Sequence, residues 1–384
     1  MRNFLYDLTA SQPNNDGKFH GGGQYARKVF NELLTIQQDT WQFYVLYDST
    51  KWLDEGIIFQ IETRSFKLID IQQYELKEAC KKFDIHRVYS ALPFFLDGIE
   101  TVPCDVIGTL HGLREFERYI DLYSIRHFFS FKNKLKQLLR LLLKKSILKR
   151  KYIHYERLLN KISIITVSRH TQNSIKNIFP FVQQNNIKLF YSPDVTDIAK
   201  ENTVEENYLN HKDFFLLISG DRWIKNTLRP ILALDELFSQ HVSITNNVII
   251  TGVKNPQRYV KLLKNKERFI FLNYVTGEEL IHLYKACFAF IYLSLNEGFG
   301  YPPLEAMRFS KPVIASPFTS IPEICEDGVI YANPYDIQEI KNRVLQLYDT
   351  DLYNIIAQKG NKRFEAVKKR QEEDLSKMLS FILD

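Results

Sequence analysis

The chain has 384 residues, 45% of them hydrophobic and 25% charged, and its 51 Lys and Arg against 45 Asp and Glu give a formal net charge of +6. At roughly 100 to 200 residues per domain, this length predicts about two domains, each able to bury its own core, and excludes a disulfide-stapled miniprotein. Cys80, Cys104, Cys287 and Cys325 are too dispersed for a CxxC pair or a zinc-ligand spacing and read as reduced thiols of a cytoplasmic protein.

From the N-terminus, Met1 to Asp7 reaches an acid before an apolar signal core could form, so no export is expected. Nowhere does an uncharged apolar run approach the roughly 20 residues of a membrane-spanning helix, so any membrane contact is expected to be peripheral. Short apolar runs alternate with longer stretches of helical period, the pattern of βα units around parallel sheets. Strands are predicted near residues 2–7, 42–47, 66–71, 86–90, 105–110 and 162–167. A second set is predicted near 213–219, 246–251, 268–272, 288–294, 312–315 and 328–331. Such nearly continuous apolar strands are buried on both faces, as in doubly wound α/β folds. The polar stretch 192–212 separates the sets and reads as a linker between domains at 1–191 and 213–361, and a helix is expected at 362–384.

Between the fifth and sixth predicted strands, residues 131–151 carry nine Lys or Arg and no acid, leaving the rest of the chain with a net charge of −3. On a helix, Phe131, Leu135, Leu138, Leu139 and Leu142 share one face, and Lys132, Lys136, Arg140 and Lys144 form an i, i+4 stripe opposite. Two readings stand: a basic amphipathic helix lying on an anionic membrane surface, or a core-facing helix with a solvated basic back. A nucleic-acid-binding module would be a third use of such charge, but the segment lacks interleaved aromatics, and no nucleic-acid partner is expected.

In open parallel sheets, ligands sit beyond the carboxyl ends of the strands. Arg222 and Lys225 follow the strand at 213–219, Gly252 follows 246–251, and Asn273-Tyr274-Val275-Thr276 follows 268–272. After 288–294 comes Asn296-Glu297-Gly298-Phe299-Gly300-Tyr301-Pro302-Pro303-Leu304-Glu305. Glycines let backbone approach a ligand, prolines suit a first helical turn, and the free amides of that turn with Arg222 and Lys225 would hold a diphosphate. The carboxylates of Glu297 and Glu305 are suited to accept sugar or ribose hydroxyls.

Glu297 and Glu305, with seven residues between them in EGFGYPPLEAM followed by KPVIASPFTSIPEI, resemble the E-x7-E signature of the family 4 retaining glycosyltransferases. Gly21-Gly22-Gly23-Gln24-Tyr25 resembles the family's glycine-rich N-terminal loop, although its Gly-Gly-Ile/Met-Gly-Arg pattern reads Gly-Gly-Gln-Tyr here. His111 in Thr109-Leu110-His111-Gly112 sits where members carry a histidine after a strand, and Val167-Ser168 and the Arg222, Lys225 pair also match. The resemblance implies a GT-B architecture, two facing Rossmann-like domains with a final helix crossing back to the first. It further implies transfer, with retention, of a hexose from a UDP- or GDP-sugar to a glycan or lipid-linked acceptor, as in cell-surface polysaccharide or lipopolysaccharide synthesis, in the cytoplasm or at the inner face of the cell membrane. By carry-over, Glu305 would bond the ribose and Arg222 and Lys225 the diphosphate. Glu297, with Gly298, Phe299 and Gly300, would contact the donor sugar, approached by His111 from the other domain. Val275 would line the donor site, and Gly22 and Gly23 would lie near phosphate and acceptor.

No cofactor or metal is expected, because preorganised cations and helix amides can meet the leaving group's charge. The lone DxD, Asp349-Thr350-Asp351, reads as a helix-to-helix turn, and Ser168 as a helix cap. Glu323 is a secondary candidate, either a first-turn acid or a ligand contact. A nucleotide-sugar epimerase or hydrolase on the same architecture is the rival enzymatic reading.

Overall fold

The structure, a computed structural model, describes residues 1–13, 21–36, 40–64, 66–117, 123, 125, 127, 130–195 and 212–384. Packing divides the chain into two units, one made of Met1–Leu113, Leu148–Val195 and Lys369–Asp384, the other of Arg114–Ile147 and Thr196–Lys368. Of the expected linker 192–212, residues 196–211 lie outside the described residues.

The first unit is built on a seven-stranded sheet. Its strands are β1 (Arg2–Asp7), β2 (Trp41–Tyr47), β3 (Lys67–Asp70), β4 (Ile85–Ser90), β5 (Asp105–Leu110), β6 (Ser163–Thr166) and β7 (Ile187–Leu189). They run parallel in the order β3-β2-β1-β4-β5-β6-β7. The central strands are aromatic and β-branched because both faces are covered, and Phe4, Leu5, Tyr6, Val45, Val88 and Ile165 have no exposed surface. Strand β7 was not expected. It is a three-residue edge strand in which only Ile187 is buried, too short and too polar to leave a periodic signal.

The second unit holds β8 (Phe215–Leu217), β9 (Val248–Ile250), β10 (Phe269–Phe271), β11 (Ala289–Tyr292), β12 (Val313–Ala315) and β13 (Ile330–Tyr331). They form a second parallel sheet in the order β10-β9-β8-β11-β12-β13. Helices Leu228–Gln240 and Ile337–Gln346 pack on it through Ile231, Leu234, Leu237, Ile340 and Val344, all fully buried. In each sheet the connections reverse direction once, between β1 and β4 and between β8 and β11. The loops leaving these strand pairs diverge there and open a crevice.

Three segments depart from expectation. The final helix spans Thr350–Leu383, beginning well before residue 362, because Asp349 caps it by accepting from the amides of Asp351 and Leu352. The segment Arg114–Ile147, expected within the first domain, packs with the second unit. There, His127 Nε2 lies 3.1 Å from the Asp221 carbonyl, the Asn296 amide donates to Glu117 at 3.0 Å, and the Arg229 guanidinium stacks on Tyr123 at 4.0 Å. The basic stretch forms two helices, Phe131–Leu142 and Lys144–Leu159, and the apolar face of the first is not in a core: its one buried residue is Gln137.

Candidate active site

The crevice between β8 and β11 collects a buried polar cluster of the second unit. Beyond β8, the backbone folds tightly on the loop after β9: a Cβ at Gly252, whose φ is +72°, would lie 3.0 Å from Ser219 Cα, so only glycine fits. A 3-10 turn, Trp223–Lys225, follows and ends at Asn226 in the left-handed region with φ 56°. Asn226 is held there by its amide to the Pro334 carbonyl at 2.8 Å and by Arg229 donating to its oxygen at 2.7 Å. The Leu295 amide donates to the Ile224 carbonyl at 2.9 Å, pinning the loop beyond β11 against this turn.

These constraints aim Lys225 at Glu297. Lys225 Nζ donates to Glu297 Oε1 at 2.6 Å and to the Tyr292 hydroxyl at 2.5 Å, and that hydroxyl donates on to Oε1 at 2.7 Å. The Ser294 hydroxyl also donates to Oε1. Among the described residues, all bonds to this carboxylate fall on Oε1 and none on Oε2. Both partners are buried, with side-chain exposures of 7% for Lys225 and 10% for Glu297. Burial by itself would raise the Glu297 carboxyl, but the Lys225 ammonium and the Ser294 and Tyr292 hydroxyls pull it below its usual range, so it stays ionised. Burial draws the Lys225 ammonium down, and the Glu297 charge opposes this. Arg222 is exposed, its side chain has no partner among the described residues, and its charge reaches both Lys225 and Tyr292.

The loop beyond β12 supports the cluster from the other side. Thr319, with φ 55°, accepts from the Glu297 amide at 3.0 Å, and Ser320 donates to the Glu297 carbonyl at 3.1 Å. Gly298 and Phe299 lead to Gly300, which caps helix Tyr301–Arg308 with φ +121°, and Pro302 and Pro303 lie in its first turn. The N-terminus of that helix therefore begins four residues after Glu297, with Tyr301, although Pro302 and Pro303 bring no amide N–H to it. Glu305 sits half-buried on the same helix, and the buried Tyr284 phenol is raised first by burial and then by the Glu305 carboxylate. Val275 is half-buried just before helix Gly277–Ala286, whose Thr276 and Glu279 form a reciprocal capping box.

Other expected residues lie in the first unit. The glycines do not form a loop: they open helix Gly21–Leu33, and a Cβ at Gly22 would come 2.9 Å from Leu92 Cδ2. His111 follows β5, with Nε2 3.1 Å from the Ala91 carbonyl and its ring edge-on to Tyr25 at 4.6 Å. At the β1/β4 crevice, Ser90 donates to Asp7 at 2.6 Å, beside a cavity of about 650 Å³ lined by Asp7, Gln12, Lys51, Tyr74, Leu92 and Phe95 among others. Ser168 caps helix Arg169–Ile178 by accepting from Thr171, as expected, and Glu323 lies in the first turn of helix Ile321–Cys325.

The structure thus brings Arg222, Lys225, Glu297, Gly298, Phe299 and Gly300 into one cluster of the second unit and His111 and Gly22 into the first. Sequence reasoning missed Tyr292, Ser294, Thr319 and Ser320. All four lie at or just beyond the ends of β11 and β12, where a scan for hydroxyl-bearing residues after each strand would have found them.

Over residues 199–366 the chain matches the family model described as Glycosyl transferases group 1. Among curated proteins it is similar to the O-antigen chain mannosyltransferase RfbU of Salmonella typhimurium, with 27% identity over 59% of this chain. The chain spans only 56% of that relative's length. Among solved structures it resembles HepE of Anabaena in complex with UDP-glucose, with a TM-score of 0.64, 17% identity and coverage of 99% of this chain and 100% of that one. It also resembles WaaG, a glycosyltransferase involved in lipopolysaccharide biosynthesis, with a TM-score of 0.63, 12% identity and coverage of 100% and 99%. The chain therefore has a GT-B fold, two Rossmann-like units each on a parallel sheet, and residues 199–366 of it match the glycosyl transferases group 1 model.

Proposed function

We propose that the chain is a glycosyltransferase that moves a hexose, with retention, from a nucleotide-diphosphate sugar to a glycan or lipid-linked acceptor in cell-surface polysaccharide synthesis. The observation that carries this reading is the Lys225–Glu297 pair, set at the strand ends with Oε2 unengaged, beside an exposed Arg222 and a helix N-terminus. Departure of a sugar from a diphosphate leaves negative charge, and fixed cations and amides stabilise it best when they need no reorganisation. Arg222 and Lys225 have that character, so the reaction runs without a metal or resident cofactor. Asp349 and Asp351 are engaged at the start of the final helix instead. Glu297 Oε2 accepts a donor-sugar hydroxyl, Glu305 the ribose, and Gly298, Phe299 and Gly300 line the sugar. Val275 borders the donor from the loop after β10. The acceptor is received by the first unit, where His111, the cavity beside Asp7 and the helix start at Gly22 and Gly23 lie, and His111 is the catalytic candidate of that unit. The reaction takes place in the cytoplasm or at the inner face of the cell membrane.

Mannose leads the donor panel because RfbU is a mannosyltransferase, and glucose follows because HepE was captured with UDP-glucose. The test is incubation with labelled UDP-, GDP- and ADP-sugars, read by thermal protection and by product analysis. Protection by one donor and label in a larger saccharide support the reading. Consumption yielding only free sugar or an epimer sinks it.

A further inference from the structure

We infer that helix Phe131–Leu142 is a docking surface for an anionic lipid bilayer. Its sequence is amphipathic, but its burial is inverted. Phe131 is 80% and Leu142 74% exposed, Leu135, Leu138 and Leu139 are nearly half exposed, and the single buried residue is the polar Gln137. At 100° per residue, Phe131, Leu135, Leu138, Leu139 and Leu142 occupy one narrow arc, and Gln137 lies on the far side of the helix. The helix therefore rests on the protein through a polar residue and turns its leucines outward. A continuous apolar stripe facing water is costly unless something covers it.

The charges around the stripe identify the cover. Lys132 and Lys136 border it on one side and Lys134 on the other, all exposed. The next helix adds exposed Lys144, Lys145, Lys149 and Arg150, with no acid between residues 131 and 151. A second copy of this face would set nine positive charges against nine. A nucleic acid would take the charges and leave the leucines in water. A bilayer with anionic headgroups satisfies both: the leucines enter the acyl boundary and the flanking lysines extend to the phosphates. No helix among the described residues is long and apolar enough to cross a membrane, so this contact lies in the interface plane.

The test is co-sedimentation of the full chain with vesicles of phosphatidylcholine alone and of phosphatidylcholine with phosphatidylglycerol. Binding is expected only to the anionic vesicles, weakening as salt is raised. The double variant L138S/L142S is expected to weaken that binding about tenfold or more, and K132E/K136E likewise, with unfolding temperatures unchanged because all four side chains are exposed. Absence of wild-type binding to phosphatidylglycerol vesicles at low salt overturns the inference, as does unchanged binding by L138S/L142S. A concentration-dependent dimer abolished by L138S/L142S, without vesicle binding, would assign the face to a second copy and overturn it too. Binding of a duplex oligonucleotide that survives L138S/L142S, without vesicle binding, would do the same in favour of nucleic acid. Thermal protection by nucleotide sugars is expected to be the same in wild type and both variants, so failure of this inference and failure of the donor reading are separate results.

Discussion

Lys225 and Glu297, 72 residues apart in sequence, form a buried ion pair 2.6 Å long at the meeting of two strand-end loops. Neither charge has water to fall back on, so each depends on the other, and Tyr292 and Ser294 complete the arrangement by donating to the same carboxylate oxygen. Replacing Glu297 by Gln keeps the shape and removes the charge, leaving an ammonium buried without its counterion. The expected cost is about 3 kcal/mol of stability, with sugar transfer reduced at least about 100-fold. Denaturant unfolding and donor turnover measured on the same preparation check both; a variant with wild-type turnover would remove Glu297 from the site.

Arg222 is the contrasting case. Its side chain is exposed and has no partner among the described residues, so Arg222→Ala is expected to leave stability within about 0.5 kcal/mol of wild type. Its loss should still weaken donor use by about tenfold or more, since a guanidinium held near a diphosphate contributes a charge-assisted hydrogen bond. Thermal unfolding with and without nucleotide sugar separates the two effects, and equal protection of both proteins would argue against the diphosphate role.

Two glycines should respond in opposite directions to alanine. Gly300 has room for a side chain, the nearest atoms being 3.9 Å away, but its φ of +121° is one that L-residues avoid. Gly300→Ala is therefore expected to cost about 1 to 3 kcal/mol and to displace the helix start beside Glu297. Gly277 opens a helix with nothing within 4 Å, and Gly277→Ala is expected to be neutral or stabilising by up to about 1 kcal/mol. Melting temperatures of the two variants, compared side by side, check this ordering.

Acid stability should carry the mark of Asp48. Burial opposes its ionisation, but Thr50, Lys51 and Gln72 hold the carboxylate, and its pKa falls from 3.8 to about 2. Between those values the folded chain binds fewer protons than the unfolded one, so the stabilisation is complete above 3.8 and disappears as pH falls towards about 2. The gap in urea midpoint between wild type and Asp48→Asn should be constant from pH 7 to 5 and shrink below pH 4. A gap that persists undiminished to the lowest pH at which the protein stays folded would contradict this.

Twelve of the thirteen strands among the described residues could be placed from apolar runs, because a strand buried on both faces needs a continuous hydrophobic stretch that survives in any window of the sequence. The missing one, β7, is a three-residue strand at the edge of the sheet, paired on one side only with the preceding strand β6, and just one of its residues is buried. The same logic governs the site. Lys225, Glu297 and Gly300 stood out because they follow strands and are chemically conspicuous. Tyr292 and Ser294 read as strand residues, and their hydroxyls converge on one oxygen because the chain turns back just beyond β11 and brings Glu297, five and three residues further on, against them.

Residues 131–151 mark the boundary between the two kinds of information. Sequence alone determined that one helical face would be apolar and the other basic, since helical period and residue type suffice for that. Which face would turn outward it could not determine, because a helix can satisfy its own backbone in either orientation. Tertiary packing decided it by seating Gln137 against the protein and leaving Phe131 and Leu142 in the open. The ion pair divides in the same way: local sequence supplied each charge, and only the adjacency of β8 and β11 set them 2.6 Å apart.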